Sequence, residues 1–154
     1  MLTKKILYPT DFSAAAEAVL PEATALARDR GATLLILHVQ QPIAAYSEAG
    51  VNYYGVSQPY KKILKETLRE IVPPGNDVPY QHLLVVGDPA REILRIAQKE
   101  HAGMIVMGTH GRSGLGRLLM GSVAESVLRQ APCPVVTYRC PQETVVPAGV
   151  SPPA

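Results

Sequence analysis

The sequence predicts an α/β fold: a single open five-stranded parallel sheet in the order 3-2-1-4-5, with helices on both faces. Three observations carry that prediction. Apolar runs of strand length alternate with segments of helical period along the 154 residues, the rhythm of consecutive strand–helix units. The run at residues 33–39 is almost wholly apolar, as a parallel strand covered on both faces must be. Gly, Pro, Asp and Ser cluster between these runs, where strands stop and helices open. Because parallel crossovers are right-handed, few windings of such a chain remain.

The elements follow in order. Ile6, Leu7 and Tyr8 form a short buried strand that stops at Pro9-Thr10-Asp11-Phe12-Ser13, a turn-and-cap cluster that launches a helix. Ala16, Val19, Leu20, Ala23, Leu26 and Ala27 then recur with helical spacing, and Gly31 ends the helix. Pro21 conflicts with that pattern, because it removes a backbone donor and crowds the preceding turn; it predicts a kink, or a helix that begins near it. After the strand at 33–39, residues 40–59 carry Pro42, Gly50, Gly55 and Pro59 with three tyrosines and no period. Two readings are open for them, a lid beside a ligand and an insertion without regular structure. Residues 60–72 read as an amphipathic helix broken by Pro73-Pro74-Gly75, and 79–86 as the third strand. Asp88 caps a helix with Pro89 in its first position, and Ile93, Leu94, Ile96 and Ala97 supply its buried side. Residues 104–107 are the fourth strand. A glycine-rich turn, a helical stretch reaching past Gly121 to Gln130 and a last strand at 134–138 complete the sheet. Residues 1–140 make the domain, and 141–154, rich in Pro and small residues, a frayed or extended tail.

Composition narrows the function. A chain of this length buries roughly 68–70% of its unfolded surface, enough for one core without staples. With 47% hydrophobic residues and a formal charge of +2, it is neither disordered nor basic enough for a nucleic-acid partner. No run approaches ~18 apolar residues, so no membrane span is expected, and no leader pattern follows Met1. Cys133 and Cys140 would lie roughly 23 Å apart along a strand at ~3.3 Å per residue, too far to pair. The expected compartment is the cytoplasm.

The chemistry concentrates at Gly108-Thr109-His110-Gly111, followed after nine residues by Gly121-Ser122. Glycines let successive N–H groups turn toward an anion with no Cβ in the way. Ser122-Val123-Ala124-Glu125 fits a capping box, so the positive end of the helix it opens would point back at the glycine loop. Turn chemistry alone leaves a second reading open, in which the glycines only permit tight turns and the Ser122 hydroxyl is spent as a cap. The Pro9-Thr10-Asp11 turn bears on the choice. Ligands of open parallel sheets bind beyond the strand C-termini where strand order reverses, and the order 3-2-1-4-5 makes strands one and four neighbours there.

The pattern Gly, two residues, Gly, nine residues, Gly-Ser, set between an apolar strand and a helix, resembles the ATP-binding branch of the universal stress protein family. Residues 6–13, Leu37-His38-Val39 and Val86-Gly87-Asp88-Pro89 are similar to that family as well, so the likeness covers residues 3 to 139. The resemblance implies a Rossmann-like fold of the adenine nucleotide alpha hydrolase kind. It also implies a nucleotide whose phosphates rest on the backbone of Gly108, Gly111, Gly121, Ser122 and Val123. Asp11 would meet the ribose or a bound Mg²⁺, and the adenine would lie near Pro9, Thr10 and the Val39 main chain. Met107, His110 and Arg112 complete the implied contacts, and a homodimer through residues 134–138 is the implied assembly. The bland alternative for Asp11 is a cap on the first helix.

Other motifs are set aside. Gly114-Leu115-Gly116 is no dinucleotide fingerprint, since residue 119 is leucine, and no P-loop lysine occurs. His38, His82, His101 and His110 share no ligand spacing with one another or with the cysteines. Arg112 and Arg117 are secondary phosphate candidates. Three functions therefore compete: a sensor or switch that binds ATP with Mg²⁺ in a stress response; a slow ATPase or autophosphorylating enzyme with Ser113, Ser122 or Thr109 as acceptor; and a dimeric interaction module without ligand.

Overall fold

The structure is a computed structural model. It describes residues 4–47, 50–109 and 120–139. His110, Gly111, Arg112, Ser113 and Arg117 of the glycine loop, Cys140 and the 141–154 tail lie outside the described residues.

The main sheet joins β1 (Lys5–Pro9), β2 (Thr33–Gln40), β5 (Tyr80–Val86), β6 (Met104–Gly108) and β7 (Val135–Tyr138). Its order is β5-β2-β1-β6-β7, all parallel, which is the predicted 3-2-1-4-5 winding. Helices α1 (Ala14–Arg30), α2 (Gln58–Arg69), α3 (Pro89–Lys99) and α4 (Ser122–Gln130) cross over it. Strand parity sorts the core into two layers. Ile6, Tyr8, Leu34, Ile36 and Val106 meet Val19, Ala23 and Ala27 of α1 and Leu68 of α2. Leu7, Leu35, Leu37 and Ile105 meet Ile93, Ile96 and Ala97 of α3 with Ala124 and Val127 of α4. Both faces of the central strands are thereby buried, which is why their sequences run apolar without alternation.

Helix α1 begins at Ala14 and continues through Pro21 to Arg30, so the helix does not begin near the proline. Pro21 and Glu17, whose carbonyl loses its donor, both face solvent, where water can take the lost bond. Gly31 closes the helix at φ 59°, a left-handed cap that only glycine adopts without strain. Asp88 caps α3 as expected, its carboxylate accepting from Arg91 N–H at 3.0 Å, with Pro89 in the first turn.

Within residues 40–59 the chain forms an antiparallel pair, β3 (Ile43–Ser47) with β4 (Gly50–Tyr54). Its partners include Ile43 opposite Tyr54 and Tyr46 opposite Val51. Such a ribbon is held by cross-strand main-chain bonds, which leave no mark on the sequence when the residues carry no period-2 alternation.

Candidate functional site

Beyond the C-terminal ends of β1 and β6 the connections leave in opposite directions, and a cleft opens between them. It has a volume of about 440 Å³, within the usual range for a small-molecule site. One wall is Pro9, Thr10 and Asp11, a second is the end of β2 from Leu37 to Gln41, and a third is Met107, Gly108 and Thr109 with Gly121 through Ala124. Pro89 and Ile93 of α3 supply apolar lining.

The first wall is set by a chain of side-chain bonds to the backbone. Thr10 N–H donates to Leu37 O at 2.8 Å, holding the turn against β2. Thr10 Oγ1 accepts from Phe12 N–H at 3.1 Å, and Asp11 Oδ1 accepts from Ser13 N–H at 3.0 Å and from the Ser13 hydroxyl at 2.5 Å. Ser13 in turn accepts from Ala16 N–H at 3.1 Å as the N-cap of α1. Asp11 is therefore not the cap. Its carboxylate steadies the residue that is, while remaining half-buried at the cleft wall.

The third wall corrects one sequence expectation. Ser122 is not the cap of α4, because Gly121 occupies that position and Ser122 is the first helical residue. Gly121 N–H donates to Thr109 O at 2.7 Å, which holds Gly121 extended at ψ 150° in the cap position, so the helix begins at Ser122, one residue earlier than a Ser122 cap would set it. The bond also clamps together the two ends of the glycine loop. Among the described residues no side chain caps this helix. The first intrahelical bond runs from Glu125 N–H to Gly121 O, so the amides of Ser122, Val123 and Ala124 have no intrahelical acceptor and the helix dipole adds to their pull on an anion. Val123 is half-buried against the α3/α4 layer, whereas Ser122 is exposed.

Of the residues the sequence singled out, Pro9, Thr10, Asp11, Val39, Met107, Gly108, Gly121, Ser122 and Val123 all border this one cleft; His110, Gly111 and Arg112 fall outside the described residues. Sequence reasoning missed Gln40, Gln41, Pro89 and Ile93 as lining, and it passed over His38. The histidine is buried, with Nδ1 2.8 Å from Thr10 O and its ring stacked on Phe12 at 4.0 Å between centroids. A lone imidazole in an otherwise apolar strand was the available signal. Among the described residues no group of three or more His, Cys, Asp or Glu side chains is placed to hold a metal ion, and no helix is long and apolar enough to cross a membrane.

A doubly wound parallel sheet with a helix N-terminus and a carboxylate on facing walls of a cleft at its switch point is an α/β domain with a cleft where ligands of such sheets are usually found. The chain belongs to the universal stress protein family, whose model matches residues 3–139. It is 33% identical to universal stress protein MJ0531 of Methanocaldococcus jannaschii, over 92% of this chain and 85% of that one. It is 35% identical to a universal stress protein of Thermus aquaticus, over 88% and 98%. Among solved structures, UspA of Lactobacillus plantarum superposes with a TM-score of 0.72 at 26% identity, covering 88% of this chain and 97% of that one. The Archaeoglobus fulgidus universal stress protein, solved in complex with dAMP, superposes with a TM-score of 0.66 at 26% identity, covering 89% and 98%.

Proposed function

We propose that this chain binds an adenine nucleotide, ATP with Mg²⁺, in the cleft at the switch point and acts as a ligand-dependent sensor or switch in a stress response. The observation that carries the reading is the meeting, across one cleft, of the uncapped amide end of α4 with the Asp11 turn. The dAMP complex of the Archaeoglobus relative supports it. The phosphates are assigned to the main chain of Gly108, Gly121, Ser122 and Val123, joined by Gly111, His110 and Arg112 from the glycine loop. Asp11 takes the ribose hydroxyls or the nucleotide's Mg²⁺, since a carboxylate suits either. Pro9, Thr10, Met107 and the Val39 main chain hold the base. A dipole alone is worth ~0.3–1 kcal/mol, so several donated hydrogen bonds supply most of the grip. We assign the same chain a homodimer through residues 134–138, where β7 forms one edge of the sheet, and a cytoplasmic location.

Thermal unfolding with and without ligand tests the reading. A nucleotide at ~100 times its Kd adds about 2.7 kcal/mol to stability, so Mg-ATP, ADP or AMP raises the Tm of the wild type. A Gly121→Val, Ser122→Ala double variant loses most of that shift. The absence of any shift with all three nucleotides overturns the assignment.

A further inference from the structure

The buried histidine behind the cleft explains a feature of the sheet. Main-chain bonds alternate sides along a parallel strand. Thr33 N–H reaches Lys4 O and Leu37 O accepts from Thr10 N–H, so the odd-numbered residues of β2 face β1. Leu34 N–H reaches Pro79 O and Gln40 O accepts from Gly87 N–H, so the even-numbered ones face β5. The amide and carbonyl of Val39 accordingly face β1, and the next rung of the ladder would carry Val39 N–H to Thr10 O. Among the described residues that rung does not form, and the last rung is the 2.8 Å bond from Thr10 to Leu37. The Thr10 carbonyl meets His38 Nδ1 instead, also at 2.8 Å. A carbonyl only accepts, so Nδ1 carries the hydrogen.

Phe12 holds this arrangement in place. Its φ of 64° turns the chain back over β2, and its ring lies on the imidazole at an interplanar angle of 25°. His38 is 5% exposed and Thr10 equally so, so neither group of the bond has bulk water as an alternative partner. The side chain of His38 has thus taken the acceptor that would have closed the ladder, and the main chain of Val39 is left to edge the cleft.

We infer that His38 is a positioning residue that ends the β1–β2 ladder one rung early, so that the Val39 main chain is available to the hydrogen-bonding edge of a nucleobase. This rests on the nucleotide reading of the cleft and deepens it, because it separates recognition of the base from recognition of the phosphates. Removing the imidazole returns the Thr10 carbonyl to Val39 N–H and withdraws the base contact, while the α4 terminus on the opposite wall is untouched.

The test compares ATP with inorganic tripolyphosphate, which has no base, by calorimetry on the wild type, His38→Leu and His38→Asn. The asparagine amide nitrogen occupies the place of Nδ1 and can still donate to Thr10 O. For His38→Leu, ATP weakens at least about tenfold while tripolyphosphate stays within about twofold, and the Val39 amide exchanges with deuterium more slowly because the rung has closed. For His38→Asn, ATP affinity returns to within about threefold of wild type. The inference is overturned if folded His38→Leu binds ATP as the wild type does, if ATP and tripolyphosphate weaken in the same proportion, or if His38→Asn is as impaired as His38→Leu. A wild type that binds neither ligand overturns the nucleotide reading itself along with this inference, whereas the other failures leave that reading standing.

Discussion

Tyr8 shows how one side chain links the strand that feeds the cleft to the helix behind it. Its ring is 1% exposed, and its hydroxyl donates to Ala16 O at 2.5 Å, in the first turn of α1. Burial pushes the hydroxyl from 10.0 up to about 12, against a smaller lowering by the bond with the Thr10 side chain. The sign follows from linkage: below pH 10 the phenol is protonated in both states and its contribution is complete, and between 10 and 12 the unfolded chain ionises first and stability falls. Urea unfolding at stepped pH should therefore show a steeper loss across that window in the wild type than in Tyr8→Phe. Equal slopes would mean that the phenol does not titrate with folding. The strand position of Tyr8 was legible from three consecutive apolar residues, but its hydroxyl partner was not, because Ala16 is brought opposite it only when α1 packs on the sheet.

At the scale of elements, Pro21 is a position where sequence pattern alone left two readings open, and the helix starts well before it. Helical spacing on either side of it was readable, and the helix forms across it because both proline and the Glu17 carbonyl it deprives of a donor point to water. Nothing in the packing requires the proline. Pro21→Ala restores a donor and a better helix former, and it should raise unfolding stability by roughly 1–3 kcal/mol. A loss of stability would mean that α1 needs the proline's geometry to fit the sheet. Helix α4 carries the opposite lesson. Ser122 and Glu125 matched a capping box by spacing, yet the Gly121–Thr109 bond moves the cap back to Gly121, and among the described residues no side chain caps the amide end. Spacing cannot report such a bond, since its two partners stand twelve positions apart and meet only through the glycine loop's closure.

For the whole molecule, the β7 edge of the sheet bears on the proposed homodimer. Ile105 N–H reaches Pro134 O and Thr109 N–H reaches Tyr138 O, so the even-numbered residues of β7 face β6. The main chain of Val135 and Thr137 therefore faces outward, and unpaired edges of this kind are commonly covered by a partner. Light scattering at micromolar concentration should give the mass of a dimer for the wild type and of a monomer for Thr137→Pro, which removes an outward N–H but no bond to β6. A monomeric wild type would count against the homodimer proposed here.

The number, order and type of the main-sheet elements were written in the chain, because burial on both faces imposes long apolar runs and right-handed crossovers leave few windings. Gly108, Gly121 and Asp11, which border the cleft, could likewise be named in advance, since turns beyond strand ends draw glycine and aspartate. Only the tertiary structure decided that Gly121 rather than Ser122 caps α4, that residues 43–47 and 50–54 pair as a ribbon, and that His38 meets Thr10. Each of those depends on a hydrogen bond between groups distant or unpatterned in sequence, and the energy of such a bond exists only after the sheet has brought its partners within 3 Å or so of each other.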